Sequence, residues 1–253
     1  QTINKVKRLE NSHSKKNISR STTRLMFSYG LGDAGTGLVA TQFGFFLFKF
    51  FISAGLPVII AGSLLMLIKI WDAVNDPLIG WLSDRTKSKW GPRIPWMVAA
   101  SVPLGFSLAA IWWTPTGSVL TKTIYYAIIS IVVMTAYTSI NLPFAALSTE
   151  ISEKTVIRTR LNASRFTGSI IAGLTGLIIA GVVLGSEESA SNEYFLMGKI
   201  SGCIAVAATL ISCWGLAPFA KKARRPSGKV EAITLQFKRI FRNKKFLKVI
   251  TLY

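Results

Sequence analysis

The sequence predicts an all-α membrane protein, and three observations carry that prediction. Half of its 253 residues are hydrophobic, and the mean hydropathy is +0.43. Charged residues make up only 16% of the chain, against roughly 25% in soluble domains. Yet Lys and Arg outnumber Asp and Glu by 30 to 11, a formal charge of +19. A chain that is oily and basic together is neither a disordered basic tail nor a nucleic-acid-binding domain. It fits a membrane protein whose basic residues are confined to loops. The third observation is a run of long apolar stretches. A spanning helix needs about 20 mostly apolar residues, and six such stretches lie at 25–52, 57–83, 95–114, 122–147, 165–185 and 196–219.

The basic residues alternate between the two sides of this bundle. Seven lie in the N-terminal tail through Arg24, four in the 84–94 loop, three in the 148–164 loop and ten in the 220–245 segment. The opposite connections are short and carry the acids Glu187, Glu188 and Glu193. The asymmetry puts the N-terminus and the 220–245 segment in the cytoplasm. The expected organisation is a basic cytoplasmic tail (1–24), a six-helix bundle (25–219), a basic cytoplasmic linker (220–245) and the start of a seventh helix (246–253). Phe237, Ile240 and Phe241 suit either a short amphipathic surface helix or a plain solvated linker. Six helices followed by a basic linker resemble half of a twelve-helix secondary transporter. The Gln at position 1 and the apolar residues at 246–253 fit a partial chain, so a C-terminal six-helix half is the expected missing partner. The lipid bilayer and a small solute are the other two, and nucleic acid is none.

Several functions are excluded by what is missing. Cys203 and Cys213 lie ten residues apart on one predicted helix, roughly 15 Å at 1.5 Å per residue, too far for a bridge. His13 is the only histidine, which excludes a histidine metal site, a Ser-His triad and a histidine proton relay. No glycine-rich phosphate loop suggests ATP drive, and no signal peptide is visible. The sequons at Asn17 and Asn162 fall on the expected cytoplasmic side, where glycosylation is not expected.

The second stretch holds Lys69, Asp72, Asn75, Asp76 and Pro77. At 100° per residue, Lys69, Asp72 and Asp76 fall within about 60° of one another, with Asn75 about 60° to one side of Asp72. Each charge at mid-membrane costs roughly 2.5–3.5 kcal/mol, and two carboxylates one turn apart repel. Together the three ionised groups carry a charge of −1, which one Na⁺, Li⁺ or H⁺ cancels. Carboxylate and amide oxygens are hard ligands suited to such an ion. A neutralised cluster can pass through an occluded state that a charged one cannot. The competing reading, a buried Lys–Asp pair locking helices together, leaves the second carboxylate unassigned. Pro77 frees the carbonyl of Ala73, which suits a kink, although proline is tolerated in membrane helices generally.

Beyond this helix, Gly80 precedes Asp84-Arg85 by four residues, and a basic turn with Lys87, Lys89 and Arg93 follows. That pattern resembles the loop motif of the major facilitator superfamily. The longer string from Trp71-Asp72 through Asn75-Asp76-Pro77 to Trp90-Gly91 and Pro95-Trp96 resembles the glycoside-pentoside-hexuronide:cation symporters, the family of the melibiose carrier. Tyr29-Gly30-Leu31-Gly32-Asp33, Asn141-Leu142-Pro143-Phe144 and Arg158-Thr159-Arg160-Leu161-Asn162 leading to Arg165 add to the resemblance. It implies the N-terminal half of a major facilitator transporter and a cation site at Asp72, Asn75 and Asp76, completed by Thr138. Asp72 and Asp76 are the metal ligands if the ion is Na⁺ rather than H⁺, and no cofactor is implied. Lys69 corresponds to the family's basic residue before the Trp-Asp pair, and Arg165 to an arginine that contacts sugar. Lys69, Asp84, Arg85 and Arg93 are assigned to charge balance and gating.

The sugar side departs from the pattern. Gly37 and Asn141 stand where the melibiose carrier has aspartates, and Ala145 where it has a stacking tryptophan. Asp33, Asn141 and Arg165 are the candidate substrate residues, and a pocket that keeps Arg165 while losing acids favours a more anionic glycoside. Asp33 equally suits a structural pair with a neighbouring helix. Lys49 is read as snorkelling to the interface, and Trp112 and Trp113 as an interfacial belt. Gly30, Gly32, Gly35 and Gly37, with Gly168, Gly173 and Gly176, suit close helix packing. Gly30-Leu31-Gly32-Asp33 also matches the Gly-x-Gly-Asp of intramembrane aspartyl proteases. Such a protease needs a second aspartate facing the first, and that family's Tyr-Asp pair on a preceding helix is missing. No enzyme is therefore expected. The expected function is cation-coupled symport of a glycoside or a related, more anionic solute by alternating access, in a bacterial inner membrane. The alternative is a non-transporting scaffold derived from a transporter half.

Overall fold

The computed structural model describes residues 22–184 and 191–221. Six helices make up nearly all of them: α1 (Thr22–Ser53, with a single turn residue at Asp33), α2 (Val58–Arg85), α3 (Ile94–Ile111), α4 (Val119–Ile151), α5 (Thr155–Val183) and α6 (Ser191–Ala220). All six are long and apolar enough to cross a membrane. Alternate connections put Thr22, Arg85, Arg93, Lys154 and Lys221 at one end of the bundle, here the basic end. The surface between the ends is apolar, with Ile59, Phe106 and Val182 outward-facing, as lipid contact requires. His13, the first sequon, most of the tail, the linker with its amphipathic segment and the seventh helix lie outside the described residues.

Local chemistry sets the helix ends. Gly55, at a φ of +88°, turns the chain after α1, and Pro57 precedes α2 with its φ at −58°. The Ser118 hydroxyl accepts from the Thr121 N–H at 3.3 Å and caps α4, and Lys122 Nζ donates to the Ala54 carbonyl at 2.7 Å, closing the end of α1. α2 runs on through Pro77. α5 starts ten residues before the apolar stretch at 165–185 does, because its first three turns are polar and stay helical by docking on α4. Arg158 carries that docking, donating from Nε to the Ser152 carbonyl at 2.6 Å and from Nη2 to the Thr149 carbonyl at 3.3 Å.

In the bundle α3 packs on α4 and α6, α1 on α5 and α6, and α2 on α4. Glycine permits close approach of one helix backbone to another. A Cβ on Gly168 of α5 would collide with the Gly30 carbonyl of α1, and one on Gly202 of α6 would lie 2.6 Å from the Gly105 carbonyl of α3. Gly168→Ala is therefore expected to destabilise the bundle by about 1–3 kcal/mol, the usual cost of overpacking. Gly62→Ala, where nothing lies within 4 Å of the added carbon, leaves thermal unfolding in detergent unchanged. Two apolar cores flank the middle. One holds Phe50, Phe51, Trp112, Tyr126 and Tyr194; the other, at the basic end, holds Tyr29, Phe144, Met97 and Leu216. Trp112 is thus no belt residue. It is fully buried, with Phe50 edge-on at 5.2 Å and Tyr194 stacked at 5.8 Å. Sequence position near a helix end suggested the interface, but the long α6 brings Tyr194 over it. Trp113 remains half-exposed at 45% and Lys49 is exposed.

Candidate functional site

Between the two cores lie the charged residues of the bundle interior, in two neighbouring groups. The first joins α2 to α4. The Thr138 hydroxyl, itself buried, donates to Asp72 Oδ1 at 3.4 Å and also pairs with the Asp76 side chain. Asp72 and Asp76 are both half-buried. Asn75 is turned into the α2–α4 seam and is 1% exposed, its Nδ2 donating to the Met134 carbonyl at 3.4 Å. That use of the nitrogen leaves Oδ1 as the atom Asn75 can offer a cation. One residue before Asp72, Trp71 Nε1 donates to Thr135 Oγ1 at 3.0 Å, a second polar tie that sets the rotation of α2 against α4. Lys69 is exposed, and among the described residues no carboxylate lies within salt-bridge distance of it. It lines, with Asp72, a cavity of about 330 Å³ walled by Phe43, Leu47, Leu65 and Tyr137.

The second group joins α1, α4 and α5 through one guanidinium. Arg165 Nε meets Asp33 Oδ2 at 3.1 Å, and its Nη2 donates to Asn141 Oδ1 at 2.8 Å. The three candidate substrate residues therefore meet around one side chain. Sequence reasoning missed the two groups that hold it. Thr36 Oγ1 donates to Asp33 Oδ1 at 2.8 Å, and the Phe144 ring lies under the guanidinium at 5.6 Å, stacked in turn on Tyr29 at 4.5 Å. The spacing of Thr36, three residues after Asp33 at a break in the helix, is the signal that could have found it. On α4, Thr138 contacts Asp72 and Asn141 contacts Arg165. One helix thus carries side chains that face both groups.

A third cluster closes the basic end. Arg93 bonds Asp84 Oδ1 through Nη2 at 2.5 Å, Glu150 Oε1 through Nε at 2.8 Å and Ser83 Oγ through Nη1 at 2.8 Å. It ties the end of α2, the following loop and the end of α4 together. Glu150 is the member sequence reasoning missed, since it lies in an unremarkable Ser-Thr-Glu run after an apolar stretch. Arg85 stays apart from this network and lies over the Trp81 ring at 3.9 Å.

Chemically, the first group presents two carboxylates and a hydroxyl to a small hard cation, and the second presents a guanidinium, a carboxylate and an amide to hydrogen-bonding groups of a solute. Residues 28–253 match the model of the MFS/sugar transport protein family, with the motif residues lying at these two groups and at the basic end. The chain belongs to the glycoside-pentoside-hexuronide:cation symporter family of the major facilitator superfamily. It is 36% identical over 212 residues to an uncharacterized symporter of Synechocystis sp., covering 81% of this chain and 38% of that protein. It is 27% identical over 172 residues to a glucuronide carrier protein homolog of Escherichia coli, covering 67% and 37%. Over 170 residues it is 28% identical to sodium-dependent lysophosphatidylcholine symporter 1 of Xenopus tropicalis, covering 66% and 32%. The matched part is less than half the length of each of these symporters.

Proposed function

We propose that this chain supplies the cation site and one wall of the solute site of a cation-coupled symporter working by alternating access. The observation that carries the reading is the pair of membrane-interior carboxylates, Asp72 and Asp76, sharing the Thr138 hydroxyl. A non-transporting scaffold has no use for that pair. Among Na⁺, Li⁺ and H⁺, the sodium dependence named for the Xenopus relative supports Na⁺. Cation binding on α2 and α4 raises affinity for the solute, and by linkage the solute raises cation affinity equally. The basic end faces the cytoplasm of a bacterial cell, and the solute passes between this bundle and a second one that covers the faces of α1, α2, α4 and α5.

The solute is a glycoside. The sequence argument for an anionic one rested on Arg165 without nearby acids. Asp33, at 3.1 Å from Arg165, cancels that surplus charge and shifts the preference to uncharged glycosides, whose hydroxyls both donate and accept. Competition for Na⁺-driven uptake by a panel of matched neutral and uronide glycosides tests this. Neutral members should compete better. Stronger competition by the uronides would restore the anionic solute, and cation-independent uptake of every member would remove the symport reading itself.

A further inference from the structure

α1, α5 and α6 enclose an apolar crevice of about 370 Å³. Its walls include Phe27, Leu31, Leu38, Ile171 and Ile204, and Gly30, Ala34, Gly168, Ala172 and Ala208 leave its floor without side chains. Phe27, 71% exposed, stands at its rim. From Phe27 to Leu38 the crevice follows α1 for about 16 Å at 1.5 Å per residue, which is about half of the roughly 30 Å hydrocarbon core. It therefore has the depth of one leaflet and opens on the leaflet at the basic end.

At that end the crevice meets a cation. Arg24 stands three residues before Phe27, and positions 24, 27, 31, 34 and 38 repeat at three and four, so Arg24 caps the face of α1 that lines the crevice. Its guanidinium lies 5.2 Å from the centre of the exposed Trp214 ring on α6. Lys221, also exposed, follows seven residues later, just past the end of that helix. Among the described residues neither cation has a carboxylate within salt-bridge distance. A guanidinium held on an aromatic ring at headgroup depth, above an apolar slot one leaflet deep, has the shape and charge of a lipid site. We propose that this crevice binds an anionic glycerophospholipid, its phosphate on Arg24 and Lys221 and one acyl chain along α1 between α5 and α6.

The test is lipid retention by the purified protein in native mass spectrometry, after exchange into mixed micelles of phosphatidylglycerol and phosphatidylcholine with matched chains. The wild-type protein should keep phosphatidylglycerol in preference. Arg24→Gln should cut that preference several-fold and Arg24→Lys should retain most of it. Ala208→Leu, which fills the floor, should reduce retention of both lipids. Thermal unfolding of each variant separates loss of the site from loss of the fold, and the lipid-dependent rise in Tm should vanish in Arg24→Gln alone among the Arg24 variants. Equal retention of the two lipids by wild type, or unchanged retention in Arg24→Gln, overturns the proposal. So does displacement of the lipid by millimolar glycerol phosphate, which would reduce the site to one for free phosphate.

Discussion

Asp76→Asn should abolish cation-driven accumulation while leaving solute exchange across the membrane. The argument is one of charge. With Asp72, Asp76 and Lys69 ionised the cluster carries −1, and the bound cation brings it to zero before the carrier turns over. The amide keeps the size of Asp76 and removes its charge, so the cluster is neutral with no ion aboard and the reorientation step no longer waits for one. Loss of an outer-shell partner alone costs about 10–100-fold in metal affinity, so loss of a ligand carboxylate should weaken cation binding at least about tenfold. Measurements on the whole carrier in vesicles separate the outcomes. Counterflow of labelled glycoside persists, and accumulation driven by Na⁺, Li⁺ or a pH gradient disappears. If instead the carboxylates only lock α2 to α4, the variant would lower Tm and leave the cation-to-solute ratio untouched. Asp72→Asn should behave alike, since Thr138 Oγ1 contacts Asp72 at 3.4 Å and pairs with Asp76 as well.

Much of this was readable from residue order. The six helices follow from hydropathy because a bilayer leaves backbone polar groups no partner but the helix itself. The α2 carboxylates stand out because apolar surroundings make their cost explicit. What was not readable depends on contacts between helices. Trp112 appears interfacial by position and is buried because α6 crosses over it. Glu150 appears as one more loop acid and is the carboxylate that Arg93 grips at 2.8 Å. The pairing of Asp33 with Arg165 spans 132 residues, and the sequence offered both a substrate contact and a structural pair for Asp33 without choosing between them. That pairing matters most for the proposed function, since the proposed preference for uncharged glycosides rests on it. The glycines of α1 and α5 read correctly as packing surface, but that the same small residues hollow a crevice between α1, α5 and α6 depends on how the helices pack.

Removing Arg93 should be the most damaging single change at the basic end. Glu150 is 7% exposed at its side chain and Asp84 40%, and the guanidinium that joins them also bonds Ser83. Arg93→Met leaves a buried carboxylate with no counter-charge, in a place where Glu150 Oε2 already lacks a hydrogen-bond partner. Breaking a buried pair in this way costs about 3–5 kcal/mol, and the half-exposed Asp84 adds little because water screens it. The expected result is a large fall in Tm in detergent. Arg93→Lys should recover only part of it, since the three N–H groups of an ammonium radiate from one nitrogen and cannot span Asp84, Glu150 and Ser83 as Nη2, Nε and Nη1 do. The informative variant is the double substitution Arg93→Met with Glu150→Met. If the penalty is the unpaired buried charge, the double variant regains most of the lost stability, because well-packed apolar replacements of a buried pair are often neutral. Transport then distinguishes structure from gating. A double variant that is stable and still moves solute at the wild-type rate would confine the cluster to folding. One that is stable but slow would mean that the Asp84–Arg93–Glu150 tie must form and break as the two ends of the bundle open in turn.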